Sequence, residues 1–129
     1  MKDILDKSDA CLRDMQSFHE WFDQEKGFDT DILRNVGYLA GEIGEVVKAI
    51  RDLEVAISAN EDIEALRDHV GEELADCVAY ILKLSNYANI DLQDAYLKKM
   101  KHNLTRTWKK RTPERSTSPP AIDDTPTAE

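Results

Sequence analysis

Two acidic tetrads set the strongest constraint on how this chain can fold. Glu42-Ile43-Gly44-Glu45 is followed about thirty positions later by Glu73-Leu74-Ala75-Asp76. Residues three apart lie on the same side of a helix, so each tetrad predicts two neighbouring carboxylates beside an apolar stripe. Four acids gathered at the edge of a core repel one another unless a cation lies between them. The tetrads therefore predict two packed helices that carry a carboxylate metal site.

Helical periodicity extends over most of the chain, and no strand-like alternation of useful length is visible. We predict helices over about 3–26, from 30 to the middle fifties, over 63–87 and from 91 to about 110. The expected fold class is all-α, a bundle of four to five helices in a domain at 1–111. Residues 112–129 contain all four prolines and little to bury, which predicts a disordered polar tail.

The formal charge of −9 and the pI near 4.8 argue against a general binder of nucleic-acid polymers or membrane surfaces, because such proteins need a basic face. No stretch is apolar enough for a signal peptide or a membrane span. Cys11 and Cys77 lie in apolar helical patterns without metal-type spacing, which indicates reduced thiols. We therefore expect a cytoplasmic protein.

Positive charge is concentrated late in this acidic chain. Lys99, Asn103 and Arg106 share one sector of the predicted fourth helix. An ammonium, an amide and a guanidinium together suit a phosphate group. The competing interpretation is a solvated basic helix face.

Carboxylates without His or Cys at ligand spacing favour a hard ion, Mg²⁺ or Mn²⁺ as its substitute. A di-iron bundle would need Glu-x-x-His pairs, which the sequence lacks. With the basic trio, the acids point to a nucleoside polyphosphate substrate. The acids would hold the metal, the metal would bridge phosphate oxygens, and an activated water would attack phosphorus.

Four runs extend this interpretation. They are Gly41-Glu42-Ile43-Gly44-Glu45-Val46, Glu72-Glu73-Leu74-Ala75-Asp76, Ile90-Asp91-Leu92 and Lys99-Met100-Lys101-His102-Asn103-Leu104-Thr105-Arg106-Thr107-Trp108. In this order, over roughly residues 12–110, they resemble the MazG-type family of all-α nucleoside triphosphate pyrophosphohydrolases. The resemblance implies cleavage between the α- and β-phosphates to a monophosphate and pyrophosphate. The substrate would be a nucleoside triphosphate, either a dNTP or a non-canonical nucleotide.

The same resemblance implies Mg²⁺ held by Glu42, Glu45, Glu73 and Asp76, which would be the catalytic acids. It implies phosphate contacts from Lys99 and Asn103, and from Arg106 by extension. It also implies a helical homodimer or a dimer of dimers with active sites between packed helices.

Base-binding residues are candidates by chemistry and position only. Trp21 could stack on a base and His19 could hydrogen-bond its edge, but packing in the core or at an interface competes with both roles. The alternative for the whole chain is a non-catalytic helical dimerisation or regulatory binding module, in which the same helix faces only pack.

Overall fold

The computed structural model describes residues 1–109, which form four α-helices and contain no strand. A 3-10 helix at Lys2–Asp6 precedes α1 (Leu12–Lys26), α2 (Ile32–Ser58), α3 (Glu64–Tyr87) and α4 (Leu92–Leu104). The predicted all-α class is confirmed. The tail predicted at 112–129 lies outside the described residues.

Local capping explains where the helix boundaries differ from the prediction. The first predicted helix is broken after the 3-10 helix, and α1 begins where the Cys11 backbone N–H donates to Asp14 Oδ2 at 3.0 Å. Gly27, with φ of 64°, ends α1 at the residue predicted, about position 26. Asp31 caps α2 by accepting from the Arg34 backbone N–H. Helix α4 begins after Asp91 as predicted but ends at Leu104, well before residue 110.

Helices α2 and α3 form an antiparallel pair. The rings of Tyr38 and Tyr80 lie 6.0 Å apart, while Glu42, one turn further along α2, meets Asp76, one turn earlier on α3. Helix α1 packs on α3, and α4 makes its main contacts with α1. The α2–α3 pair is therefore the frame that places both acidic tetrads.

Polar side chains occupy several of the most buried positions in the described chain. Gln16, Asp23, Asn35 and Ser85 are all at most 8% exposed. The Gln16 amide donates to the Ile90 carbonyl at 2.8 Å and accepts from the Leu92 backbone N–H at 3.0 Å. On α1 the buried side chains are therefore Gln16 and Asp23, whereas the apolar Phe18 and Phe22 are only partly buried.

Two apolar stripes lie uncovered on the α2–α3 pair. Their members are between 39% and 53% exposed: Ile43, Val47 and Ile50 on α2, and Leu74, Val78 and Ile81 on α3. In the described part of the chain the fully buried hydrophobic residues are Ala49, Ala56 and Leu82. The apolar stripes predicted beside the two tetrads are thus largely solvent-facing within residues 1–109. Each helix within residues 1–109 is too short or too polar to cross a membrane.

Candidate metal and nucleotide site

Three of the four tetrad acids converge between α2 and α3. One carboxylate oxygen each from Glu42, Glu73 and Asp76 can be placed within 4.8 Å of one another. Glu42 and Glu73 are partly buried, and Asp76 is exposed. A partly open cluster of carboxylate oxygens is the donor set that Mg²⁺ prefers, because this ion keeps positions for water and phosphate.

The electrostatics of the cluster fit a cation. Partial burial raises the pKa of the Glu42 carboxyl, and the negative charge of Asp76 raises it further. Glu73 and Glu45 add smaller effects in the same direction. A divalent cation among these oxygens would remove the repulsion and favour the ionised form. The three grouped residues therefore fit the metal that the sequence predicted.

Glu45 is placed differently from the other tetrad acids. It is exposed and lies outside the group of three. Three residues of α-helix turn through about 300°, so Glu45 points about 60° away from Glu42 around α2. Its charge still reaches Glu42, as the raised pKa of that residue shows. Its predicted role as a direct metal ligand stays a prediction.

His69 borders the cluster on α3. Its Nε2 lies 3.6 Å from Glu73 Oε1, and its Nδ1 lies 3.6 Å from Glu72 Oε2. The side chain of Glu72 is 78% exposed, against 15% for Glu73. Glu73 therefore faces the cluster, whereas its neighbour faces solvent.

The predicted phosphate-binding trio lies on and beyond α4, whose main contacts are with α1 rather than with the acid-bearing helices. Lys99 is exposed, and Asn103 Oδ1 is buried without a hydrogen-bond partner within residues 1–109. Arg106 follows the end of α4, so it does not continue the helical sector, and its guanidinium lies 4.4 Å from the centre of the Trp108 ring. Within one protomer, the trio stands apart from the frame of the acid cluster.

The two base-binding candidates lie on α1. Trp21 belongs to an aromatic cluster with Phe18 and Phe22 and lines a groove of about 460 Å³. His19 is half-buried, and burial lowers its pKa. The charge of Asp23 raises this pKa by a smaller amount, and the charge of Lys83 lowers it slightly. Both assignments stay predictions.

The structure contains a largely buried ion pair that the sequence did not predict, between Lys83 and Asp23. Lys83 Nζ lies 3.1 Å from Asp23 Oδ1, and the side chains are 12% and 4% exposed. The Tyr87 hydroxyl donates to the other Asp23 oxygen, and burial with this contact raises the pKa of Tyr87. Asp23 follows Gln16 by seven positions and so shares its side of α1, but in the sequence this polar row resembles the solvated flank of an apolar stripe.

The fold and the acid cluster together define an all-α protein with a carboxylate site suited to a divalent cation. Residues 31–109 match the family model of the MazG nucleotide pyrophosphohydrolase domain, and the chain belongs to this family. Neither the comparison with curated proteins nor that with solved structures gives a match. The family assignment supports nucleotide pyrophosphohydrolase activity in general, and the family is generally dependent on a divalent metal. The matched range holds α2, α3 and α4 but not α1.

Proposed function

We propose that this protein hydrolyses a nucleoside triphosphate between its α- and β-phosphates, in a reaction that depends on Mg²⁺, with Mn²⁺ as a substitute. The substrate would be a dNTP or a non-canonical nucleotide, and the products a nucleoside monophosphate and pyrophosphate. The observation that carries the proposal is the convergence of Glu42, Glu73 and Asp76 inside the range matched by the family model.

In this proposal the three grouped acids hold the metal. A bound Mg²⁺ supplies Lewis-acid polarisation of phosphate oxygens. Glu45, the fourth predicted ligand, would either join this group or accept a proton from the attacking water. As water oxygen bonds to the α-phosphorus, the bond to the bridging oxygen breaks and the electron pair leaves with pyrophosphate.

Lys99, Asn103 and Arg106 would neutralise the charge of the leaving pyrophosphate. Because α4 contacts mainly α1 within a protomer, we propose that a second copy brings the trio and the acids together. The uncovered stripes on α2 and α3 support a homodimer or a dimer of dimers. Contiguous apolar surface of this kind is typical of a protein–protein contact.

Trp21 and His19 stay candidates for base binding by chemistry and position only. Both are on α1, near the acid-bearing helices through the packing of α1 on α3. We also propose a cytoplasmic location, with the triphosphate and further copies of the chain as partners, and with no role for a nucleic-acid polymer or a membrane.

The test is pyrophosphate release from a panel of ribo-, deoxyribo- and damaged nucleoside triphosphates with and without Mg²⁺. The wild type should release pyrophosphate from at least one substrate, only with metal. Glu73→Gln should reduce the rate at least about 100-fold, since a metal supplies several kcal/mol of transition-state stabilisation. Glu72→Gln, next to it but solvent-facing, is the matched control and should retain the rate. No pyrophosphate from any substrate would favour the non-catalytic binding module, which the exposed apolar stripes also suit.

A further inference from the structure

The acid cluster is the first of three successive levels along the α2–α3 pair. One turn away, Tyr38 and Tyr80 face each other with ring centres 6.0 Å apart. One turn beyond them, Asn35 and Lys83 line the same pocket. Seven residues of helix separate Glu42 from Asn35, a rise of about 10 Å. This span suits an extended nucleotide, with its phosphates at the acids and its base at the third level.

The pocket at this far end has a volume of about 240 Å³. Its lining combines aromatic walls with polar groups: Phe28, Asp29, Asn35, Tyr38, Tyr80 and Lys83. Phe28 and Tyr38 are each 46% exposed, so two of the walls have apolar surface that nothing in the described protomer covers. Aromatic faces with this exposure can stack on a flat ring.

Lys83 is held firmly at this pocket. Its ammonium lies 5.1 Å from the centre of the Phe28 ring and 5.2 Å from that of Tyr80, and it pairs with the buried Asp23. An ammonium has three N–H donors, and the ion pair with Asp23 uses only one of them, so others can donate to a ligand. Asp23, in turn, accepts from the Tyr87 hydroxyl. The lysine is therefore a positioned donor rather than a flexible surface charge.

The charges around the pocket are internally neutralised. Asp23 balances Lys83, and Asp29 accepts from Arg34 Nε at 2.6 Å and from Arg34 Nη2 at 2.9 Å, which holds the pKa of Asp29 well below its usual range. A phosphate would find no free positive charge here. A neutral aromatic heterocycle with a hydrogen-bond acceptor suits the pocket better, because it needs stacking surface and one donor.

We propose that this pocket, rather than the groove lined by Trp21, binds the base of the substrate and that Lys83 donates a hydrogen bond to a ring carbonyl of that base. The inference rests on the proposed function, since it takes the acid cluster as the phosphate end. Cytosine, uracil and guanine have a ring carbonyl and adenine has none, so this donor would discriminate against adenine. Asp23 is a positioning residue, because it acts by fixing the ammonium of Lys83.

The test measures base discrimination, the ratio of kcat/KM between nucleotides that differ in their base. A Lys83–Asp23 pair with a purely structural role would leave this ratio unchanged. The wild type should turn over dCTP or dUTP with a higher kcat/KM than dATP, which has no carbonyl. Lys83→Met should lower kcat/KM for the pyrimidine nucleotide by at least about tenfold, mainly through KM, and leave dATP nearly unchanged, because only the carbonyl base loses its charged donor. Arg67→Met, on an exposed site of the same helix, is the matched control and should preserve the discrimination.

A second variant covers the case in which Lys83→Met fails to fold. Tyr38→Ala removes an exposed wall and should weaken binding of dCMP and dUMP by about tenfold, since stacking of a base on an aromatic ring is worth about 1–3 kcal/mol. Tyr96→Ala, at an exposed tyrosine of α4, is its control. Isothermal titration calorimetry with monophosphates measures this without turnover.

The outcomes separate the two proposals. One outcome is a protein that releases no pyrophosphate and still binds monophosphates in a way that depends on Lys83 and Tyr38. That result would support the base pocket and overturn the proposed hydrolase activity. Turnover with unchanged base discrimination in a folded Lys83→Met protein, or unchanged binding in Tyr38→Ala, would overturn the pocket and leave the hydrolase standing. A wild type that prefers dATP would also overturn the pocket.

Discussion

The two sides of the α2–α3 pair are opposites. On one side, polar groups are buried and have partners: Asn35 donates to the backbone carbonyls of Asp29 and Asp31, both at 2.8 Å, and Asp23 of α1 forms an ion pair with Lys83 of α3. On the open side, Val47 and Leu74 represent apolar stripes that stay about half exposed. Burial alone would give the reverse arrangement. The difference shows that one side is covered within the described chain, whereas the other leaves apolar surface exposed, as our proposal of a homodimer requires.

The acid cluster lies between these two sides. It has partly buried members and one exposed member, so it is neither a sealed core group nor a free surface. A site at this position can be completed from one side by α1-supported residues and from the other by a second copy. The predictions that follow separate the two contributions.

The largest effect is expected on the open side. Val47→Glu places a charge in the centre of the α2 stripe, and an unpaired charge buried in a contact between copies costs several kcal/mol. We expect at least about 100-fold weaker self-association, measured by light scattering over a dilution series, with parallel loss of pyrophosphate release. Lys48→Glu, its exposed neighbour, changes the charge more but lies off the stripe, so it should leave assembly intact. A Val47→Glu protein that assembles and works normally would show that the stripe is not an interface.

An intermediate effect is expected on the covered side. Asp23→Asn leaves the Lys83 ammonium without its partner, and breaking a buried pair costs about 3–5 kcal/mol. Chemical denaturation should show this loss of unfolding free energy. Arg13→Gln removes a surface ion pair for comparison, the one between Arg13 and Asp91, in which both side chains are about half exposed. That change should cost less than about 1 kcal/mol. Equal costs for the two variants would contradict the contrast between a built interior pair and a surface pair.

The smallest effect concerns the acid cluster itself. The pKa of Glu42 is raised in the folded protein, so the metal-free folded state retains this proton to a higher pH than the unfolded chain does. The folded state therefore loses stability as the pH rises above the ordinary range of a glutamate pKa. Mg²⁺ binds the ionised form and should reverse this. Mg²⁺ at 100 times its Kd should add about 2.7 kcal/mol, and the gain in Tm should be larger at about pH 7.5 than at about pH 5.

Asp76→Asn provides the control for this measurement, because it removes one carboxylate of the cluster at an exposed position. Its Tm should respond little to Mg²⁺ at either pH. A metal-dependent gain that is the same in Asp76→Asn and in the wild type would place the bound ion elsewhere.

Much of this structure could be predicted from local signals. The period of the apolar residues gave the helices, and Gly27 and Asp91 gave two of their boundaries. The spacing of the tetrads gave Glu42, Glu73 and Asp76 as neighbours because the two helices pair antiparallel. The identity of these acids required only the i, i+3 rule and a partner helix.

The remainder depends on tertiary contacts that a linear pattern does not encode. Whether Glu45 points at the cluster depends on the rotation of α2 against α3, which a pattern of apolar residues fixes only loosely. The Asp23–Lys83 pair joins residues sixty positions apart, and its polar row resembled the solvated flank of an apolar stripe. The exposed stripes follow the expected period, but periodicity shows only which residues share a helix face and not whether that face is buried within the chain.

The central claim is that the α2–α3 cluster supports cleavage between the α- and β-phosphates. Phosphorus NMR of a turned-over triphosphate tests it most directly, with Mg²⁺ present and then removed by chelation, for wild type and Asp76→Asn. We predict resonances of the nucleoside monophosphate and pyrophosphate that appear together, only with Mg²⁺ and only for the wild type. Formation of a nucleoside diphosphate with inorganic phosphate, or turnover that persists after chelation or in Asp76→Asn, would contradict the claim.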